Sequence, residues 1–73
     1  MTRTHLIEVF YQPAYWNPVA YALIPPCYRA ELMGGGRPDR LPYHDGETEK
    51  EAVRLLCELH GLDPSRVEIV RRW

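Results

Sequence analysis

Residues 48–61 read TEKEAVRLLCELHG, and this stretch decides the fold because it carries the strongest helix signal in the chain. Thr48 with Glu51 three residues later fits a capping box, in which the threonine side chain accepts a hydrogen bond at the helix start. Gly61 suits the left-handed position that ends many helices. The apolar stripe is predicted at helical spacing, with Val53 and Cys57 at its edge and Ala52, Leu55, Leu56 and Leu59 along it.

Four segments outside the helix are predicted to be strands. Residues 5–12 alternate, with apolar side chains on both faces, which is typical of a central strand. The other strands are predicted over residues 19–24, 28–33 and 66–73. Short connections between the first three favour an antiparallel meander. We therefore expect an α+β domain of order β-β-β-α-β, in which a small antiparallel sheet packs on one α-helix.

Residues 34–47 separate the third predicted strand from the helix and show almost no apolar periodicity. Three consecutive glycines open this segment. An irregular connection of this length is unusual in a small domain and is typically either a tether or a functional loop. We expect a long mobile loop before the helix, within a single domain that spans residues 1–73.

Composition and charge narrow the functional class. The chain has 73 residues, 45% of them hydrophobic, and a formal net charge of −1. General nucleic-acid binding needs a surplus of cations, so this charge argues against it. Eight of the nine basic residues are arginine, which is enriched at protein interfaces, although GC-rich coding produces the same bias. The sequence shows neither a long apolar run nor a signal-peptide pattern, so we expect a cytosolic protein.

No arrangement of residues predicts an enzyme, a cofactor site or a metal site. The histidines and cysteines are scattered without the spacing of metal ligands. His44 and Asp45 form a pair that could titrate, but a solvated turn is the simpler interpretation. Residues 34–37 lack the Lys-Ser/Thr ending of a phosphate loop. Cys27 and Cys57 are expected to be reduced thiols, with a disulfide or a metal site left open as the alternative.

The candidate binding residues centre on residues 9–18, which read VFYQPAYWNP. Aromatic and arginine side chains dominate the hot spots of protein interfaces. We predict that the central contacts with a partner protein are made by Val9, Tyr11, Tyr15 and Trp16. A polar rim around them is predicted at Arg66, Arg71 and Arg72. The competing interpretation is that Trp16 or Trp73 caps the small core.

A second functional hypothesis is an RNA- or DNA-binding module of the antitoxin type. The order β-β-β-α-β also suggests the layout of double-stranded-RNA-binding domains. Arg66, Arg71 and Arg72 would then supply the phosphate contacts, although the helix region itself is acidic.

A family resemblance rests on the 73-residue size, the arginine-rich and lysine-poor composition, and the opening HLIEVFYQP at residues 5–13. In these features the chain resembles the small RNA polymerase-binding transcription regulators of lytic bacteriophages, such as that of a Xanthomonas phage. The resemblance implies binding to the N-terminal region of the polymerase β′ subunit near the RNA exit channel. It also implies inhibition of initiation by σ factor displacement, antitermination, and a place in the host bacterial cytoplasm. We expect a monomer without a cofactor.

Overall fold

The fold is α+β, as predicted, but its main sheet is mixed rather than antiparallel. The computed structural model describes residues 5–34 and 36–72. The elements, in chain order, are β1 (His5–Gln12), β2 (Tyr15–Asn17), β3 (Ala22–Ile24), β4 (Cys27–Leu32), β5 (Tyr43–Gly46), α1 (Glu49–His60), a 3₁₀ turn (Pro64–Arg66) and β6 (Val67–Arg71). The four-stranded sheet has the order β5-β4-β1-β6, and β2 and β3 form a separate two-stranded sheet.

The parallel pairing of β1 with β6 follows from strand β5, which the sequence prediction missed. β4 is antiparallel to both β1 and β5, so β5 runs in the same direction as β1. α1 then carries the chain from β5, at one edge of the sheet, to β6 at the other. Helical crossovers of this kind join parallel strands. β6 accordingly pairs in parallel with β1, with Ile7 opposite Ile69.

Of the strand predicted over residues 19–24, only residues 22–24 form a strand, β3, and prolines explain why it does not join the main sheet. Pro13 follows β1, and Pro25 and Pro26 precede β4, so the ladder is interrupted on both strands at the same level. Proline cannot donate a ladder hydrogen bond. Pairing resumes beyond these prolines as the short β2–β3 ribbon, in which Trp16 lies opposite Leu23. The strand predicted over residues 5–12 is confirmed as β1, whereas those predicted over residues 28–33 and 66–73 are observed as Cys27–Leu32 and Val67–Arg71. Trp73 lies outside the described residues.

The prediction of one irregular loop over residues 34–47 is also wrong, because residues 43–46 form β5. Arg29 on β4 lies opposite Asp45 in this pairing, with its guanidinium 2.7 Å from an Asp45 carboxylate oxygen and 4.3 Å from the centre of the Tyr43 ring. The hydrogen bond to Asp45 raises the pKa of Arg29. A strand of four residues is too short to show a clear alternation in sequence.

His60 anchors the remainder of this segment to the end of α1. Its Nδ1 accepts a hydrogen bond from the Arg37 N–H at 2.9 Å, so the ring proton is on Nε2. Nε2 donates to the carbonyl oxygen of Leu41 at 2.7 Å. His60 is buried, with 5% of its surface exposed, and its role is to satisfy backbone groups of the segment that precedes the helix.

The helix begins and ends as predicted. The Thr48 hydroxyl accepts a hydrogen bond from the Glu51 N–H at 3.1 Å, and Gly61 adopts φ 67° at the C-cap. The buried stripe is rotated from the predicted one: Val53 and Cys57 are buried, whereas Leu55 and Leu59 are half-buried. The core joins α1 to β1 and β4 and consists of Ile7, Val9, Ala30, Leu32, Ala52, Val53, Leu56 and Cys57.

Gly46 sets how closely the helix approaches the sheet. A Cβ atom at position 46 would lie 2.6 Å from the backbone nitrogen of Ala52 and 2.9 Å from its Cα. These are backbone atoms within a helix, so they cannot move aside alone. The first turn of α1 therefore requires glycine at this position.

We predict that Gly46→Ala lowers the free energy of unfolding by about 1–3 kcal/mol, because the methyl group overpacks the contact between β5 and α1. Urea denaturation followed by circular dichroism measures this loss. Glu47→Ala, at the exposed neighbouring position, is the control and should have little effect. Equal stability of Gly46→Ala and the unmodified protein would contradict the proposed close approach.

Candidate protein-binding surface

The β2–β3 ribbon, residues 15–24, extends the β1–β4 hairpin beyond the main sheet and is called the arm below. The described residues extend over 48 × 26 × 16 Å, so the molecule is elongated. Within them, β2 and β3 contact each other extensively, and neither has a comparable contact with α1 or with another strand. The arm is therefore held by its own pairing and by its two connections to the sheet.

Most apolar side chains of the arm are open to solvent. The exposed fractions of Val19, Tyr21 and Leu23 are 95%, 82% and 66%, and about half the surface of Tyr15 and Trp16 is exposed. No charged residue occurs between Glu8 and Arg29. A contiguous apolar surface without charges is uncommon on a monomer and marks interaction sites. The arm is thus the strongest candidate for a binding surface among the described residues.

Three of these side chains share one face of the ribbon. Trp16 and Leu23 are directly opposite in the β2–β3 pairing and so point to the same side. The rings of Trp16 and Tyr21 meet edge to face, with centroids 5.4 Å apart. Large aromatic side chains that already contact each other lose little conformational freedom when a partner covers them.

The turn at the tip of the arm is held by a local hydrogen-bond pattern. The Asn17 side-chain oxygen accepts from the N–H groups of Val19 and Ala20 at 3.0 and 3.2 Å. Tyr21 completes the turn with φ 52°, a left-handed conformation that is costly for a side chain of this size. The turn therefore fixes where Tyr21 and Val19 point, at the expense of local backbone strain.

The structure places the predicted aromatic residues in different environments. Tyr15 and Trp16 lie on the arm. Tyr11 lies where the arm joins the sheet, 44% exposed and 5.3 Å from the ring of Tyr28. Val9 is fully buried, because the middle of β1 is flanked by two strands and covered by α1. The prediction that Val9 contacts a partner is therefore wrong.

The three predicted arginines do not form one cluster. Arg71 and Arg72 lie at the arm end of β6 but on opposite faces of the sheet, since they are consecutive strand residues. Arg66 lies at the other end of β6, about 16 Å away at a strand rise of about 3.3 Å per residue. A continuous rim or phosphate site is therefore absent from these three positions.

Each of these arginines also has a carboxylate partner. Arg71 lies 2.8 Å from Glu49, and Arg66 lies 3.8 Å from Asp63. Arg72 donates to Glu8, and this hydrogen bond raises the pKa of Arg72. Hydrogen bonds from the backbone and side chain of Ser65 lower the pKa of Asp63.

The histidines and cysteines show no shared site. Among residues 5–34 and 36–72, no three potential metal ligands come together. Both cysteines are free thiols: Cys27 contacts the Gln12 side-chain oxygen at 3.4 Å, and burial raises the pKa of Cys57. The His44 ring contacts the backbone oxygen of Asp45 rather than its carboxylate.

No family model, no curated protein and no solved structure matches this chain. In the described part of the chain, no helix is long and apolar enough to cross a membrane. The arm and its separation from the main sheet could have been anticipated from the prolines on both sides of it and from the absence of charge.

We predict that Tyr15→Ala/Trp16→Ala changes the free energy of unfolding by less than about 1 kcal/mol, because half-exposed side chains outside the core contribute little. Leu56→Ala, in the core, should cost about 2–5 kcal/mol. Urea denaturation compares the two variants. A loss from the arm variant as large as that from Leu56→Ala would show that the arm supports the core.

Proposed function

We propose that the protein is a bacteriophage-encoded transcription regulator that binds the RNA polymerase of its bacterial host. The observation that carries the binding role is the arm, an uncharged ribbon whose aromatic side chains lie outside the core. The choice of polymerase as partner comes from the resemblance in size, composition and opening sequence. The two lines of support are independent of each other.

The proposed mechanism is occupation of a surface, with no covalent bond made or broken. The arm docks on the β′ N-terminal region near the RNA exit channel, with Tyr15 and Trp16 as central contacts. Tyr11, at the root of the arm, lies at the border of this contact, whereas Arg72 pairs with Glu8 farther from the arm. Occupation of that region displaces σ and inhibits initiation, and it promotes antitermination during elongation.

The distribution of charge supports a protein partner over a nucleic acid. Phosphate binding requires cations that are free to replace counterions. Arg66, Arg71 and Arg72 each face a carboxylate, and the arm carries no charge. Base stacking by Trp16 would therefore lack the accompanying backbone contacts that single-strand binders use.

We predict that purified core polymerase is retained by the immobilised protein and that Tyr15→Ala/Trp16→Ala weakens this binding at least tenfold, which corresponds to about 1.4 kcal/mol. Biolayer interferometry measures both affinities. Leu41→Ala is the matched control, because Leu41 is 61% exposed but lies outside the arm. It should bind as the unmodified protein does.

Two outcomes would contradict the proposal. Unchanged affinity of the folded arm variant would remove the arm from the interface. Recovery from bacterial lysate of nucleic acid alone, lost after nuclease treatment and steeply weakened by salt, would favour the antitoxin-like alternative.

A further inference from the structure

A second binding feature lies on the opposite edge of the sheet from β5, between α1 and β6. A groove of about 660 Å³ runs there, and its walls are mostly carbon. Its lining includes the apolar side chains of Val53, Pro64 and Ile69 and the 2.8 Å ion pair between Glu49 and Arg71. The groove exists because α1 packs mainly over β4 and β5 and leaves the β6 side of this face uncovered.

The groove borders the free edge of the main sheet. β6 pairs only with β1 among the described strands. The Arg72 N–H donates to the Val9 carbonyl oxygen, so the backbone of residue 72 faces β1. Backbone groups alternate in direction along a strand, and those of Val67, Ile69 and Arg71 therefore point away from the sheet. The side chains of Ile69 and Arg71 line the groove.

Free edge groups beside an apolar groove form the combination that binds an extended peptide as an added strand. The added strand would bond to the backbone of β6. A residue placed opposite Ile69 would share its face and enter the groove beside Val53. The next residues on that face, two positions away on either side, would lie opposite Arg71 and Val67.

The charges around the groove specify the chemistry of the occupant. The lining side chains include three cations, Lys50, Arg54 and Arg71, against one carboxylate, Glu49. Glu49 already pairs with Arg71 at 2.8 Å, so Arg71 is not a free cation. Within the described residues, Lys50 has no ion-pair partner, whereas Arg54 pairs with Glu58 at 2.9 Å. Acidic side chains beside the apolar residue would complement this rim.

We propose that β6 and α1 bind an extended segment of a partner protein in which an apolar residue is flanked, two positions away, by acidic residues. The segment adds to the sheet as a fifth strand next to β6. This inference does not rest on the proposed function, since it concerns a different surface from the arm. This segment would give the molecule a second contact with a partner, at the β6 edge of the main sheet.

The test uses a fluorescein-labelled, capped peptide of sequence Thr-Asp-Thr-Leu-Thr-Asp-Thr and the whole protein. The sequence reads the same in both directions, so the test requires no assumption about strand orientation. We expect saturable binding with a Kd below about 1 mM by fluorescence polarisation. A peptide with lysine in place of aspartate should not bind, because it opposes the cations of the rim.

Amide exchange followed by NMR locates the peptide. The amides of Val67, Ile69 and Arg71 should exchange rapidly in the free protein and become protected in the complex. The amides of Glu68 and Val70 point toward β1 and should be protected in both states. Protection limited to the arm, or no saturable binding, would overturn the proposal.

Protein variants separate the groove from general charge effects. Ile69→Thr should weaken binding about tenfold through lost apolar contact, whereas Val70→Thr, on the other face of the same strand, should not. Lys50→Glu should weaken it at least about fivefold, whereas Arg40→Glu makes the same charge change outside the groove and should leave the Kd unaltered. Equal effects of Ile69→Thr and Val70→Thr, or of Lys50→Glu and Arg40→Glu, would overturn the proposal.

Sedimentation of the protein alone tests whether a second copy of the chain, rather than a partner segment, occupies the groove. We expect a monomer whose β6 edge is open. A dimer that Ile69→Thr dissociates would show that the edge is occupied by another copy, and it would overturn the proposal of a partner segment.

Discussion

The packing of α1 against β1 and β4 is the constraint on which the rest of the structure depends. The buried apolar residues of the described chain all belong to this contact. A domain of this size has little other apolar surface to remove from water. Gly46 allows the helix to lie close to β5, and His60 then ties the preceding segment to the helix end. The arm and the β6 edge lie outside this contact and depend on it, because it holds together the sheet to which they are attached.

The division between a packed body and an unpacked arm is set by proline. Backbone pairing is continuous across β1 and β4 up to Gln12 and Cys27, and it stops where Pro13 faces the Pro25–Pro26 side. The residues beyond this break do not contribute to the core. The aromatic rings of Trp16 and Tyr21 consequently pack on each other rather than on the core.

The sequence predicts those features that depend on local chemistry. Thr48 and Gly61 mark the helix ends through hydrogen bonds within a few residues, and the alternation of β1 identifies it as a central strand. β5 could not be predicted, because it consists of four residues and pairs with β4, which is distant in sequence. The mixed sheet follows from β5, so it was missed for the same reason.

The residues of the candidate site also divide into those that the sequence predicts and those that depend on the tertiary structure. Tyr15 and Trp16 are identified by composition alone, since aromatic residues between prolines have no place in a continuous strand. The burial of Val9 depends on which part of β1 the helix covers, and this requires the tertiary arrangement. The separation of Arg66 from Arg71 and Arg72 likewise depends on the strand between them. The groove beside β6 has no sequence pattern, because its lining residues come from three separate elements.

The pairing of β1 with β6 also bears on the order of events during synthesis. β1 is made before the other strands. β4 can pair with it early, because the arm is the only segment that connects the two strands. The other side of β1 stays unpaired until β6 is made, because His5 pairs with Val67. Contacts between such distant positions form slowly and expose strand edges meanwhile. The pairing of β6 with β1 therefore closes the sheet only after all of the intervening chain has been made.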